Sequence, residues 1–344
     1  MSQTLEFQQA HLDQVSRSFA FCIRRLPQPL GRWVGMTYLI CRVLDTIEDT
    51  TWKSSAEQVY MFEQFEKAIV DANACEKISG WENNFHNVSD GEYQLLHDAH
   101  LILRDLHEIP ENVQISIRDL VLSMSSGMRH FLKENKKGNA FRLKSLGEVN
   151  QYCFFVAGVV GEALTNLVSS VEPKFPSSVA NLLRAHHFGL FLQKVNILKD
   201  QSKDEEQGRL LVPSREQLEV SASSDAREAL EFLCSIPNEQ VEFRQFCGWS
   251  LFLGLETLIL SRASFLKRVV MKVSRPQTEK LMARVDEVIR DNQRLKDFFF
   301  EQAGRLSWDF STVKVTDGRS PEWLSQLYRG RLDSLSLARL GVGS

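Results

Sequence analysis

Carboxylates at helical spacing are the most chemically suggestive feature of this sequence. If residues 37–49 form an α-helix, one face carries Tyr38, Arg42, Asp45, Glu48 and Asp49. The opposite face is apolar, as expected for a helix that packs against a core. Carboxylates one turn apart repel each other, so stability alone does not favour this pattern. A hard cation such as Mg²⁺ would offset the repulsion, because it prefers oxygen ligands.

A second stretch, residues 185–209, is built in the same way. About a quarter of its helical circumference carries Gln193, Asn196, Asp200 and Asp204. One such helix alone is better explained as a solvated polar face. Two of them facing each other across a cavity could hold a cluster of Mg²⁺ ions, and those ions could hold a diphosphate.

Two further segments leave alternatives open. Ser16, Arg17 and Ser18 could cap a helix or could donate hydrogen bonds to phosphate oxygens, and their spacing does not decide. Residues 149–168 are apolar nearly all round, which predicts a buried helix with Tyr152 as the polar residue near its start. The small residues of this helix either permit close helix packing or leave room for a ligand.

Long segments with a 3.6-residue period dominate the 344 residues, and strand-like alternation is scarce, so we predict an all-α protein. Residues 1–305 are expected to form one catalytic domain. The weakly periodic residues 306–344 are expected to form a loose tail with one short helix at about 321–338. The basic stretch 133–144 is expected to be a solvated loop.

The composition narrows the classes of function. A net charge of −3 with scattered basic residues argues against nucleic acid as a partner. Six cysteines without metal-ligand spacing and an N-terminus without a signal peptide favour a cytoplasmic protein. Tyr152–Val160 is too short for a membrane span and is followed by Glu162, so no span is expected. Peripheral contact with a membrane stays open.

Taken together, the motifs resemble those of the squalene/phytoene synthase family, and most closely those of its squalene synthase branch. The resemblance covers roughly residues 12–290. It is carried, in order, by SRSF, YLICRVLDTIED, YCFFVAGVVGEAL, LQKVNILKDQSKDEEQGR and VVMKVSRPQ.

This resemblance implies an isoprenoid-synthase fold, with helices around a deep apolar cavity. It assigns Asp45, Glu48, Asp49, Asn196, Asp200 and Asp204 to binding Mg²⁺, or Mn²⁺ in its place. It assigns substrate-binding positions to Ser16, Arg17, Ser18, Phe19, Arg42, Val156, Ala157, Gly161, Gln193, Asn196 and Arg209. Tyr38 and Tyr152 match tyrosines near the reacting carbons.

The implied reaction joins two farnesyl diphosphates to presqualene diphosphate and then reduces this intermediate to squalene with NADPH. The cationic side chains expected to bind NADPH are Arg17, Arg42, Lys199, Lys272 and Arg275. Lys199 stands where many relatives carry arginine, and Ser274 replaces one cation of the 272–275 segment.

The membrane anchor of the eukaryotic enzymes is not expected here. The alternatives are a dehydrosqualene- or phytoene-type synthase that omits the reduction, and a non-catalytic relative. The protein is expected to be a monomer or a homodimer.

Overall fold

In the computed structural model, residues 3–138, 140–267, 272–306 and 319–343 are described. Helices account for 78% of the structure, which confirms the predicted all-α class. The α-helices of the described residues are α1 Gln3–Val15, α2 Arg17–Ile23, α3 Leu30–Asp49, α4 Ser55–Val70, α5 Asp90–His97, α6 Ala99–Leu106, α7 Glu111–Asn135, α8 Leu146–Cys153, α9 Val159–Val171, α10 Val179–Glu206, α11 Arg215–Ser235, α12 Val241–Lys267, α13 Arg275–Val288, α14 Asn292–Ala303, α15 Glu322–Leu327 and α16 Ser334–Leu337.

Shorter elements connect these helices. The 3₁₀ turns are Ala72–Ile78, Trp81–Asn84 and Gly304–Leu306, and the π-helical turns are Phe154–Gly158 and Ala338–Val342. Three short strands form one small sheet: β1 Lys136–Lys137, β2 Ala140–Arg142 and β3 Arg209–Leu210. Strands β1 and β2 are antiparallel, whereas β2 and β3 are parallel.

Both acidic segments are helical, as their periodicity predicts. Helix α3 buries its apolar face, including Leu39, Val43 and Ile47, and thereby turns its carboxylates away from the core. Helix α10 begins at Ser178, whose side chain accepts a hydrogen bond from the Asn181 N–H. The apolar face of α10 is buried as well, so the acidic faces of both helices are left for the cavity between them.

Helices α8 and α9, joined by the π-helical turn, form the predicted buried segment. This stretch, Leu146–Val171, is long and apolar enough to cross a membrane by length and composition, which corrects the sequence expectation. Half of its most apolar window is buried inside the protein, as in the core helix of a folded domain. Glu162, in the middle of this stretch, is buried and paired with His186 of α10, which explains why a charge is tolerated there.

The small residues of this segment serve close helix packing. A Cβ atom on Gly161 would lie 2.0 Å from the carbonyl oxygen of Ala185 in α10. A Cβ atom on Gly189 would lie 2.2 Å from the carbonyl oxygen of Ala157. The backbones of α9 and α10 therefore touch, and the packing alternative, not the ligand alternative, describes Gly161.

The prediction of a solvated loop over 133–144 is wrong for most of that stretch. Helix α7 extends to Asn135, and strands β1 and β2 follow it. The N–H of Phe141 donates to the carbonyl of Gly208 at 2.9 Å, and Leu143 donates to Leu210 at 3.0 Å. The stretch fixes the chain that follows α10, a tertiary contact that local sequence cannot reveal.

The prediction of a loose C-terminal tail also differs from the structure. Two short helices, α15 and α16, replace the single helix expected at 321–338. Leu337, Leu340 and Val342 are buried. The side chains of Asn150 and Gln151 in α8 donate to the carbonyls of Gly341 at 2.9 Å and Val342 at 3.0 Å. Residues 319–343 are therefore packed onto the helical core.

Candidate active site

Both acidic helices line one cavity of about 1100 Å³. A volume of this order is at the upper end of typical small-molecule sites. Of the residues proposed from the sequence, the structure brings these together at the cavity: Arg42, Asp45, Glu48, Asp49, Tyr152, Val156, Gln193, Asn196, Lys199, Asp200, Asp204 and Arg209. The cavity thus combines carboxylates from two helices with cations and one buried tyrosine.

Arg209 joins the two sides of this cavity. Strand β3 places it just beyond the end of α10, where its guanidinium forms an ion pair with Asp49 of α3. Its Nη2 also donates to the hydroxyl oxygen of Tyr152 at 3.1 Å. The guanidinium lies 5.7 Å from the ring centre of Phe141 in the neighbouring strand, within cation–π range.

Tyr152 and Glu48 form a buried pair in the lining of the cavity. The Tyr152 hydroxyl lies 3.4 Å from each carboxylate oxygen of Glu48, and both side chains are buried. Burial raises the pKa of Tyr152 well above its ordinary value, and the Glu48 charge adds to this effect. Burial also raises the pKa of Glu48, against the opposing effect of Arg209. Both groups therefore favour their protonated forms, and the phenol holds its proton more tightly than the carboxyl.

Burial and mutual repulsion disfavour the charged forms of two further carboxylates in the cavity, Asp45 and Asp204. Burial and then the charge of Asp49 raise the pKa of Asp45 to about 7. Burial likewise raises the pKa of Asp204, with Asp200 and Asp49 adding to the effect against Arg209. A divalent cation would relieve this repulsion, so the donor set fits Mg²⁺. Within the described residues, no group of three or more His, Cys, Asp or Glu side chains is arranged to hold a metal ion. In proteins, Mg²⁺ usually keeps several waters and binds through one or two carboxylates and substrate phosphates.

Several cations lie around these carboxylates. Arg42 is ion-paired with Glu92 of α5, and Lys199 Nζ lies 3.1 Å from Asp200 Oδ2. The cavity lining also contains lysines that the sequence analysis did not single out: Lys53, Lys136 and Lys203. Lys203 follows Asp200 by three residues on one helix face, a signal that was available in the sequence. The positions of Lys53 and Lys136 depend on tertiary structure.

Other residues proposed from the sequence lie outside the cavity lining. Ser16 caps α2, accepting from the Phe19 N–H at 3.4 Å, which fits the capping alternative. The ring of Phe19 packs on Tyr38 at 5.6 Å between centroids. The side chains of Arg17 and Ser18 lie outside the described residues. Ala157 and Gly161 contribute to the α9–α10 contact, and Lys272 and Arg275 are exposed.

With this geometry in place, comparison with known proteins gives the family. The sequence profile of the squalene/phytoene synthase family matches residues 12–238. The chain therefore belongs to this family of prenyltransferases.

The named relatives include squalene synthases. That of Schizosaccharomyces pombe is 29% identical over 202 residues, covering 59% of this chain and 42% of the relative. That of Bos taurus is 32% identical over 213 residues, covering 62% of this chain and 47% of the relative. The matched region is thus less than half the length of either relative.

Solved structures show the same fold. A structure of TcSQS with the ligand BPH1237 superposes with a TM-score of 0.74 at 23% identity, covering 98% of this chain and 99% of that one. A dehydrosqualene synthase in complex with a ligand superposes with a TM-score of 0.57 at 19% identity, covering 84% and 97%. The predicted isoprenoid-synthase fold is confirmed.

Proposed function

We propose that this protein is a squalene synthase. It would join two farnesyl diphosphates head to head into presqualene diphosphate and then reduce this intermediate to squalene with NADPH. The observation that carries the proposal is one cavity lined by both acidic helices together with the contacting side chains Tyr152, Glu48 and Arg209. Family membership and the squalene synthase relatives support it.

The polar side of the cavity suits the departure of a diphosphate. Asp45, Asp49, Asp200 and Asp204 are the residues that would hold Mg²⁺, with Glu48 and Asn196 beside them. Mg²⁺, when bound, would neutralise the charge that develops on the leaving diphosphate. Arg42, Lys199 and Arg209 would add hydrogen-bond donors to the same oxygens.

Tyr152 and Glu48 suit the removal of a proton from the cation that closes the cyclopropane ring. The phenol stays protonated, because its pKa is raised far above the ordinary value. It would take the proton from carbon while passing its own proton to Glu48 in molecules in which that carboxyl is ionised, a form that burial disfavours and Arg209 favours, so that charge and protons balance. The 3.4 Å contact between the two groups is the geometric basis for this step.

The apolar side of the cavity suits the protection of carbocations from water. Leu132, Phe141, Val156 and Leu211 line it beside the charged groups. Side chains without hydroxyl or amine groups offer a carbocation no nucleophile, and the Phe141 ring offers a π face. Covalent catalysis is not needed for this chemistry.

A dehydrosqualene-type synthase is the second candidate, and a specific observation favours it. Lys272 and Arg275, the cations expected to bind the NADPH phosphates, are exposed, and they are not among the residues that line the cavity. Incubation of the purified protein with farnesyl diphosphate and Mg²⁺, with and without NADPH, separates the two candidates by the lipids formed. Squalene that appears only with NADPH supports the proposal. Unreduced product at ample NADPH supports the second candidate, and the absence of any condensed product contradicts both.

A further inference from the structure

A buried charged network joins α10 to α11 on the side away from the cavity. Lys194, only 1% exposed, places its Nζ 2.5 Å from Asp225 Oδ2 and donates to Ser221 Oγ at 2.7 Å. The other oxygen of Asp225 lies 2.8 Å from His187 Nδ1. Burial by itself raises the pKa of Asp225, but Lys194 and His187 hold it below the ordinary value, so this carboxylate is charged.

The network belongs to a longer seam along α10. His187, Lys194, Leu198 and Gln201 fall within about 60° of one another around the helix. Arg215 at the start of α11 donates to the Leu198 carbonyl at 3.4 Å and to Gln201 Oε1 at 2.8 Å. Two separate sets of hydrogen bonds thus fix the rotation of α10 against α11.

A different face of α10, about 80–160° around the helix from Lys194, carries the second acidic motif. Gln193 and Asn196, on either side of Lys194 in sequence, both line the cavity. A rotation of α10 that released Lys194 would therefore displace them. Cys153, next to Tyr152, lies near enough to Lys194 and Asp225 for both charges to act on its thiol, whose pKa burial raises to about 12. The charges of the network thus act as far as Cys153 of α8, the residue that follows Tyr152.

Stability alone is a weak reason for such a pair. Desolvation of two buried charges costs about as much as their attraction returns, and uncharged replacements are often equally stable. The best-attested use of a buried polar contact is to fix register and orientation.

We propose that Lys194 and Asp225 are positioning residues, which hold the second acidic motif at the rotation that Mg²⁺–diphosphate binding requires. The inference rests on the proposed function for the role of that motif. The pair touches neither the cavity nor the reacting groups and acts only through the orientation of α10.

The test separates positioning from stability. The double variant Lys194→Met with Asp225→Asn removes both charges. The side-chain amide oxygen of the new asparagine can still contact His187. We expect it to fold with a thermal midpoint close to that of the wild type. We expect its affinity for Mg²⁺ with inorganic diphosphate, measured by titration calorimetry, to fall about 10–100-fold, as for other partners that orient metal ligands. Turnover of farnesyl diphosphate should fall with it, and Lys194→Arg should retain more affinity than Lys194→Met.

A control comes from a more exposed lysine–carboxylate pair that also involves α11. Lys296 of α14 lies 2.8 Å from Glu231, away from the cavity lining. Lys296→Met with Glu231→Gln should change neither affinity nor turnover. Unchanged affinity in the Lys194 double variant would overturn the proposal. Wild-type protein that binds Mg²⁺–diphosphate but converts no farnesyl diphosphate would instead contradict the proposed function, and the calorimetric comparison would still test the positioning.

Discussion

Arg209 and Asp49 form an ion pair across 160 residues of sequence, linking the segment after the second acidic helix to the end of the first. Asp49 also contributes to the raised pKa of Asp45. A diphosphate bound in the cavity would compete with Asp49 for this guanidinium. The contact therefore couples occupation of the site to the electrostatics of both acidic helices.

The first prediction concerns the carboxylates. Asp200→Asn should lower turnover by about 10²–10³-fold, as for removal of other groups that stabilise developing charge. Asp45→Asn should do the same, and both proteins should stay folded by circular dichroism. A matched control is Glu63→Gln, because Glu63 and Asp200 are both 45% exposed and ion-paired. Near-normal turnover of either aspartate variant at saturating Mg²⁺ would show that turnover does not depend on that aspartate as a metal ligand.

The second prediction compares two buried tyrosines that each donate to a buried glutamate. Tyr152 contacts Glu48 in the cavity, whereas Tyr328 contacts Glu162 in the core. Tyr152→Phe should lower the rate of presqualene diphosphate formation by about 10²–10⁴-fold with little loss of stability. Tyr328→Phe should cost about 1–3 kcal/mol of unfolding free energy and leave kcat nearly unchanged. Normal first-step kinetics in Tyr152→Phe would exclude the proton-transfer role.

The third prediction concerns pH. The folded protein raises the pKa of Asp45 from 3.8 to about 7, so between these values it holds a proton that the unfolded chain has lost. Stability of the metal-free protein should therefore fall as pH rises through this window. Thermal melts across the window should show the decline, and Asp45→Asn should reduce its slope, with the raised pKa of Glu48 accounting for a remaining part. Mg²⁺–diphosphate binding should release protons there, which calorimetry in buffers of different ionisation enthalpy can detect. A melting temperature that rises over the same window would contradict this assignment.

The fourth prediction tests the backbone contact between α9 and α10. Gly161→Ala should destabilise the protein by about 1–3 kcal/mol or more, because its Cβ would lie 2.0 Å from the Ala185 carbonyl. Gly304→Ala is the control, since nothing lies within 4 Å of a Cβ built there. Denaturant unfolding gives both values. Equal free energies of unfolding for the two variants would show that α9 and α10 can move apart without loss of stability.

The fifth prediction concerns the reduction step. If Lys272 and Arg275 contact the NADPH phosphates, Lys272→Ala with Arg275→Ala should raise the NADPH concentration needed for squalene formation. Presqualene diphosphate formation should be nearly unchanged. Arg275 is ion-paired with Glu279 at 3.1 Å, so Glu279→Gln is a useful companion that frees the guanidinium. An unchanged NADPH requirement in the double alanine variant would place the dinucleotide site elsewhere, with Lys53, Lys136 and Lys203 as the next cations to test.

Much of the site could be predicted from the sequence, because helical periodicity is a local signal. Spacing alone placed Asp45 and Asp49 on one face, and Asn196 and Asp200 on another. The family resemblance supplied Tyr152 as a residue near the reacting carbons. None of this required knowledge of which helices touch.

The rest depended on contacts between distant segments. The β2–β3 pairing that positions Arg209 involves three- and two-residue strands, which are too short for a period to be visible. In the sequence, Glu162 interrupts an apolar segment. In the structure it pairs with His186, 24 residues away, and with Tyr328, 166 residues away. Gly161 carries no local sign of whether a helix backbone or a ligand lies beside it.

The attachment of residues 319–343 has a consequence for biosynthesis. Asn150 and Gln151, which precede Tyr152, bond to carbonyls 191 residues later in the chain. At about 5–20 residues per second, a ribosome needs roughly 10–40 s to deliver those partners. During that interval the helix that carries Tyr152 has emerged without them. Tyr152 can therefore reach its final setting only after residues 341 and 342 have emerged, and a nascent chain stalled before residue 319 should leave the partners of Asn150 and Gln151 unmade.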